Sequence, residues 1–241
     1  MVPAIILTLI VGGLIGLLSA FLIVKVRIDS FIATLGISSV LTAVTSWLSG
    51  DEQILGLSSS FQKIGTTEIF GVTLPVYIML VIGLLVWYVL ERTPAGRRIY
   101  ATGGNPDAAR LAGVNTSAAI IGALVACGVI AAGAGLLVSS NIAVGDPTIG
   151  PAYLLPAFSA AFLGSTQFRE GRFNVWGTLV AVYVLATGVK GLQLAGAPTW
   201  IPDLFNGLAL IIAVGIAKFE RTQGRAPALS RLLSRLRVSR T

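Results

Sequence analysis

The chain has 241 residues, of which 55% are apolar and only 11% charged, and its mean hydropathy is +0.87. Soluble domains carry about 25% charged residues and must show part of their surface to water, so this composition excludes an ordinary soluble globule and fits a lipid-facing exterior. The net charge of +7 comes from cations in loops and a C-terminal tail, and a single cysteine (Cys127) with no histidine excludes His-based catalysis, His metal ligation, a disulfide framework and a Cys-rich metal site.

A crossing takes about 20 residues, so the length has room for roughly six to eight spans. Seven apolar segments stand out in chain order: 3–24, 31–48, 72–90, 118–138, 153–163, 175–194 and 204–217. The expected class is therefore all-α, a polytopic transmembrane helical bundle of about seven spans including one short or broken helix. No positive charge precedes the first segment; Lys25 and Arg27 follow it. A secretory signal places its charge first, so the segment reads as a retained span with its N-terminus outside. The second segment contains Gly36 and several Ser and Thr, and the third has Pro75 near its outer end.

With the N-terminus outside, the inner connections hold Lys25 and Arg27, then Arg92, Arg97, Arg98 and Arg110, then Arg169 and Arg172, then the tail from Lys218. Only Lys63 and Lys190 fall on the other side, so 15 of the 17 cations share one face. That is the positive-inside pattern. It predicts an inner, plasma-membrane protein with a cytoplasmic C-terminus, in contact with the lipid bilayer and not with nucleic acid. Segment five is too short for a regular crossing, and Pro147, Gly150, Pro151 and Pro156 crowd its start. Two readings stand: a broken helix beside a translocation path, which irregular backbone at membrane depth requires, or an ordinary kinked span.

No phosphate-binding Gly-x-x-x-x-Gly-Lys-Ser/Thr loop occurs, nor a nucleophile elbow, nor a carboxylate pair within a span. No cofactor is expected, and the chain is not expected to be an enzyme. Lys190 is the one charged residue inside a span. A functional charge and a snorkelling interfacial lysine both explain it, the second better. So little buried charge argues against ion coupling. Hydroxyl and amide candidates for a substrate path are Thr34, Ser38, Ser39, Asn141, Ser159 and Gln193; such residues are also common at plain helix–helix contacts.

The inner loop 91–117 is more informative. Asn105 can cap a helix that opens with Pro106 and places Asp107 at the positive dipole end. Ala108, Ala109, Arg110 and Leu111 continue it, and Gly113 suits its end. This short helix is either a solvated connector or a docking element for a cytoplasmic partner. In the tail, arginines interleave with leucines from Pro227 onward, either as a basic amphipathic helix on anionic lipid or as a solvated tail.

The run Gly96-Arg97-Arg98-Ile99-Tyr100-Ala101-Thr102-Gly103-Gly104-Asn105-Pro106-Asp107-Ala108-Ala109-Arg110-Leu111-Ala112-Gly113-Val114 resembles the cytoplasmic loop of permease subunits of ribose/xylose-type sugar ABC importers, within the wider branched-chain-substrate permease family. Arg27-Ile28-Asp29-Ser30-Phe31-Ile32-Ala33-Thr34-Leu35-Gly36 and Gly171-Arg172-Phe173-Asn174-Val175-Trp176-Gly177-Thr178-Leu179 resemble two further motifs of that family. Residues 188–194 and 205–208 extend the match, which covers about residues 10–218.

The resemblance implies a transmembrane permease domain over 1–218 with a basic cytoplasmic tail over 219–241. It makes Asn105, Pro106, Asp107, Ala108, Ala109, Arg110, Leu111 and Gly113 the partner-coupling residues. It implies three partners: a cytoplasmic ATP-binding subunit that binds the ATP, an external sugar-binding protein, and a second permease subunit completing a homodimer. The implied function is translocation of a monosaccharide driven by the partner's ATP hydrolysis. The alternatives are an ion-coupled secondary transporter or a non-transporting remnant that scaffolds a complex. Family members carry further spans ahead of the segment at which this chain begins, so it reads as a fragment, a mis-assigned start or a reduced paralogue.

Overall fold

The computed structural model describes residues 2–167 and 172–223. Arg169 and the arginine–leucine tail from Arg225 lie outside the described residues. The chain divides into two compact units, Met1–Gly150 and Pro151–Thr241.

In the first unit, α1 (Val2–Phe21) runs on through one wide turn, Leu22–Val26. It ends at Arg27, whose φ of 64° turns the chain. Asp29 then caps α2 (Ser30–Ser49), its Oδ1 accepting from Phe31 N at 2.9 Å and Ile32 N at 3.3 Å. An anionic acceptor satisfies two orphan amides and suits the helix dipole. A connection follows with α3 (Ser59–Thr66) and a hairpin of β1 (Glu68–Ile69) and β2 (Val72–Thr73), paired antiparallel with Ile69 opposite Val72. Then come α4 (Leu74–Arg92), α5 (Pro94–Gly104), α6 (Pro106–Leu111) and the long α7 (Thr116–Ile142).

The main packing in this unit is α1 against α7, and glycines make it possible. A Cβ on Gly12 would lie 2.5 Å from Ala132 Cβ and 2.6 Å from Gly128 O. One on Gly16 would lie 2.5 Å from Leu124 O. Lipid gives no hydrophobic drive for helices to pair, so close backbone approach through small residues supplies the dispersion contacts instead. Helix α3 lies on the far end of α7, where Ser140 Oγ donates to Phe61 O at 2.7 Å and Asn141 Nδ2 to Gly65 O at 3.3 Å.

The connection beside α3 is also tied to the segment after α7. Ile54 and Gly145 exchange backbone hydrogen bonds of 2.9 and 3.0 Å. Gln53 Nε2 donates to Asp146 Oδ2 at 2.8 Å, while Asp146 Oδ1 accepts from Thr148 Oγ1 at 2.6 Å and Thr148 N at 2.8 Å. The Thr148 hydroxyl, then its amide and more weakly Gln53, hold the Asp146 carboxyl below its ordinary value. A folded value below the unfolded one means the ionised clasp stabilises above about pH 4 and loses its effect as pH falls through the lowered value. The stability advantage of the wild type over Asp146→Asn is therefore expected to shrink as thermal unfolding is measured from pH 5 down to pH 3; a gap constant with pH would exclude the carboxylate as its source.

The second unit contains α9 (Leu154–Gln167), α10 (Val175–Leu194) and α11 (Ile201–Gln223), with a one-turn α8 (Ile149–Ala152) at the division between the units. Ala160, Ala181 and Leu185 form its buried centre, against which Leu163, Phe205 and Ala209 pack. Asn174 caps α10 through Oδ1, which accepts from Gly177 N at 2.6 Å, and its Nδ2 donates to Gly164 O of α9 at 3.0 Å.

All seven expected apolar segments are helical over most of their length; the third begins in β2, at Val72–Thr73, before α4 takes over at Leu74. Five are long and apolar enough to cross a membrane: Val2–Val26, Ser30–Ser49, Leu74–Arg92, Thr116–Ile142 and Val175–Leu194. Shorter apolar helices cover Ile149–Ser165 and Ile201–Ile216, the expected fifth and seventh segments. The stretch Ile149–Ser165 is in two pieces, with the break at Tyr153, the first residue of the expected fifth segment; from Leu154 that segment is one helix, uninterrupted at Pro156. Pro156 occupies the first turn of α9, where its missing N–H removes no intrahelical bond. The protein is a multi-pass, all-α membrane bundle with one two-stranded hairpin among the described residues.

Candidate functional site

The segment between α4 and α7 is built as three consecutive caps. Thr93 Oγ1 donates to Val89 O at 2.6 Å at the end of α4 and accepts from Gly96 N at 3.4 Å at the start of α5. Pro94 sits where a missing N–H is harmless. Arg97 and Arg98 are exposed on α5, while Thr102 is buried and donates to Arg98 O at 2.8 Å. Arg92, at the end of α4, lies 5.7 Å from the Trp87 ring centroid, a cation–π distance that suits an interfacial aromatic.

The second cap is the expected one. Asn105 Oδ1 accepts from Ala108 N at 3.0 Å, Pro106 opens α6 and Asp107 lies in its first turn. At the other end Gly113 takes φ +80°; its N–H bonds Arg110 O at 3.0 Å and the Val114 N–H bonds Ala109 O at 2.9 Å. These are the two bonds of a Schellman ending. The third cap follows two residues later, with Asn115 Oδ1 accepting from Ala118 N at 3.0 Å to start α7. A six-residue helix is unstable alone. Here both ends are closed and Ala109 is buried, so α6 is held in place.

What α6 presents outward is mixed. Asp107 and Arg110 are exposed, and Leu111 is 91% exposed. A held turn with a bare leucine flanked by both charge signs suits a complementary protein surface. No group of three or more His, Cys, Asp and Glu that could hold a metal occurs among the described residues.

The candidates for a substrate path are not gathered in one place. Thr34, Ser38 and Ser39 are exposed on α2. Thr34 belongs to a row with Ser30, Ser38, Thr42, Thr45 and Ser49, spaced three or four residues apart and so on one helix face; Ser39 lies off the row. Thr34, Thr42 and Thr45 return their hydroxyl protons to carbonyls one turn back, at 2.6–2.9 Å. Asn141 is engaged with Gly65 of α3. Ser159 is fully buried and bonds Leu155 O at 2.7 Å and Asn206 O at 2.9 Å, so it clasps α9 to α11. Gln193 is exposed near the end of α10, as is Lys190.

Sequence reasoning missed α5, α3 and the hairpin. The signal for α5 is Thr93-Pro94, a capping residue followed by the preferred first-turn residue.

Residues 1–214 match the family model described as branched-chain amino acid transport system / permease component. The chain is 32% identical over 210 residues to the ribose import permease protein RbsC of Haemophilus influenzae, covering 86% of this chain and 65% of that protein. It is 34% identical over 198 residues to RbsC of Bacillus subtilis, covering 81% and 62%. It is 29% identical over 217 residues to the autoinducer 2 import system permease protein LsrD of Escherichia coli, covering 88% and 66%. The chain thus spans less than two thirds of the length of these relatives, and no solved structure matches it. With a long-helix membrane bundle on one side and a family match over nearly its whole length on the other, the chain belongs to the branched-chain amino acid transport system permease family.

Proposed function

We propose that this chain is the membrane-spanning permease subunit of an ATP-binding-cassette importer that moves a monosaccharide across the inner membrane. The energy comes from a separate cytoplasmic ATP-binding subunit. An external sugar-binding protein delivers the substrate, and a second permease subunit, a copy of this chain, completes the pore. The permease domain is 1–218, with its N-terminus outside and the basic tail 219–241 in the cytoplasm.

The observation that carries this reading is α6. Its caps hold it rigid and its leucine faces outward, as a lever between a membrane bundle and a moving partner requires. Asn105, Pro106, Asp107, Ala108, Ala109, Arg110, Leu111 and Gly113 form the coupling element. The positive-inside distribution supports the orientation that puts it in the cytoplasm. The relatives named as ribose permeases support a monosaccharide. For the path, the exposed hydroxyl row through Thr34 and Ser38 on α2 is favoured, where Thr34 bonds only within its own helix; Asn141 and Ser159 are tied to other elements, α3 and α11.

The test is copurification with the cognate ATP-binding subunit. Arg110→Glu reverses an exposed charge and is expected to lower recovery of the complex about tenfold, the equivalent of about 1.4 kcal/mol. Gly113→Trp forces a side chain into the left-handed region, at a cost of about 1–2 kcal/mol, and is expected to disorder the end of α6 and weaken the complex further. Unchanged association and uptake in both variants would refute the coupling assignment. Uptake that survives ATP depletion but collapses with the ion gradient would replace it with secondary transport.

A further inference from the structure

The hairpin between α3 and α4 turns through Phe70 and Gly71, with φ of +52° and +76°. Two positive values in a two-residue loop define a type I′ turn, whose first position favours Asn, Asp or Gly. Phenylalanine there is conformationally strained. Phe70 is 99% exposed, so no contact among the described residues offsets either the strain or the exposure. Something outside the chain must favour an aromatic at this tip.

The hairpin's attachment identifies what that is. Thr73, the last residue of β2, directly precedes the first residue of α4, Leu74, so no slack separates the tip from a membrane span. Tyr77 Oη, one turn into that span, donates to Ile69 O at 2.9 Å, and Leu74 N donates to Thr67 O at 2.9 Å. The tip is therefore fixed to the first turn of α4, three residues of extended chain from it, or roughly 10 Å. The other end of this connection leaves α2 beside Trp47, which is 79% exposed. α2 and α4 are consecutive spans, so Trp47 and Phe70 belong to the same membrane boundary, where exposed aromatics concentrate.

We propose that the Phe70 hairpin is an interfacial anchor. Its ring inserts among the lipid headgroups beside the start of α4 and fixes the depth of that span. The surface it continues is the lipid-facing side of α4, where Leu80, Val81, Leu84 and Leu85 are exposed.

The test places a spin label in the full-length protein, reconstituted in phosphatidylcholine–phosphatidylglycerol vesicles. The variant is Phe70→Cys in a Cys127→Ser background, with Leu84→Cys and Asp107→Cys as mid-span and aqueous references. Power saturation with oxygen and a nickel chelate reads depth. The expected oxygen-to-nickel collision ratio at position 70 is several-fold above that at 107 and below that at 84. A second label at Ile69→Cys, with and without Phe70→Asn, covers the loss of the ring in the first variant. Asparagine suits the turn better, so the hairpin survives, yet the label at 69 is expected to shift toward water. A water-like ratio at 70, shielding from both reagents as at a protein contact, or no shift at 69 would each overturn the proposal.

Discussion

Gly16→Ala is expected to destabilise the protein by about 1–3 kcal/mol, the usual cost of overpacking a close contact, although alanine is by about 1 kcal/mol the better helix former. The new methyl would sit 2.5 Å from Leu124 O and 2.8 Å from Val125 Cα. Both are backbone atoms of α7 and cannot swing aside, so α1 and α7 must separate. Separation forfeits dispersion along the whole crossing, because Gly12 and Gly128 depend on the same approach. The control is Gly135→Ala on α7 itself, where an added Cβ meets nothing within 4 Å; there only the helix preference operates, and stability should hold or rise. Thermal unfolding in one detergent reads both. At roughly 2–4 °C per kcal/mol for a chain of this size, Gly16→Ala should melt about 2–12 °C lower and Gly135→Ala no lower. Equal behaviour of the two variants would mean that the glycines of α1 are not contact residues.

The long helices are legible in the sequence because lipid imposes a simple demand. Every backbone group at depth must bond within its own segment, and an apolar run of sufficient length advertises that. The short elements are governed differently. Helices of 6–11 residues such as α3, α5 and α6 are too brief to register in a hydropathy run, so only their caps announce them. Asn105-Pro106 and Gly113 announce α6, whereas Gly103-Gly104 disguises α5 as a loop. Phe70 conceals the hairpin, because it occupies a turn position where Asn or Asp would have marked it. Pro156 misleads in the opposite direction: it looks like the interruption of a span, yet the chain is already broken at Tyr153 and the proline merely opens α9. Ser159 shows the limit for the candidate site. A buried hydroxyl that bridges α9 to α11 and one facing a pore are the same letter in a sequence, and only the partner atom separates them.

Asn174 shows how much one side chain carries in the second unit. Asn174→Ala is expected to cost about 2–3 kcal/mol, chiefly through two losses, since the exposed 3.3 Å bond from Nδ2 to Arg172 O adds little. The first is the cap on α10, worth roughly 1 kcal/mol. The second is the bond to Gly164 O, whose part-buried carbonyl loses its donor at about 1–2 kcal/mol. Asn174→Ser separates them. A serine hydroxyl still caps the helix, but it is too short to reach α9, so only the second loss remains. Stability should fall in the order wild type, serine, alanine. The amide is well placed for both tasks because Gly164 and Gly177 bring α9 and α10 into backbone contact there; a Cβ on Gly164 would clash with Thr178 N and Cα. Hydrogen exchange distinguishes the two losses. In the alanine variant the first-turn amides of α10, Gly177 foremost, should lose protection, whereas in the serine variant they should keep it while global stability still drops. If serine instead matches the wild type, the bridge to Gly164 contributes nothing and the α9–α10 crossing rests on its glycines alone.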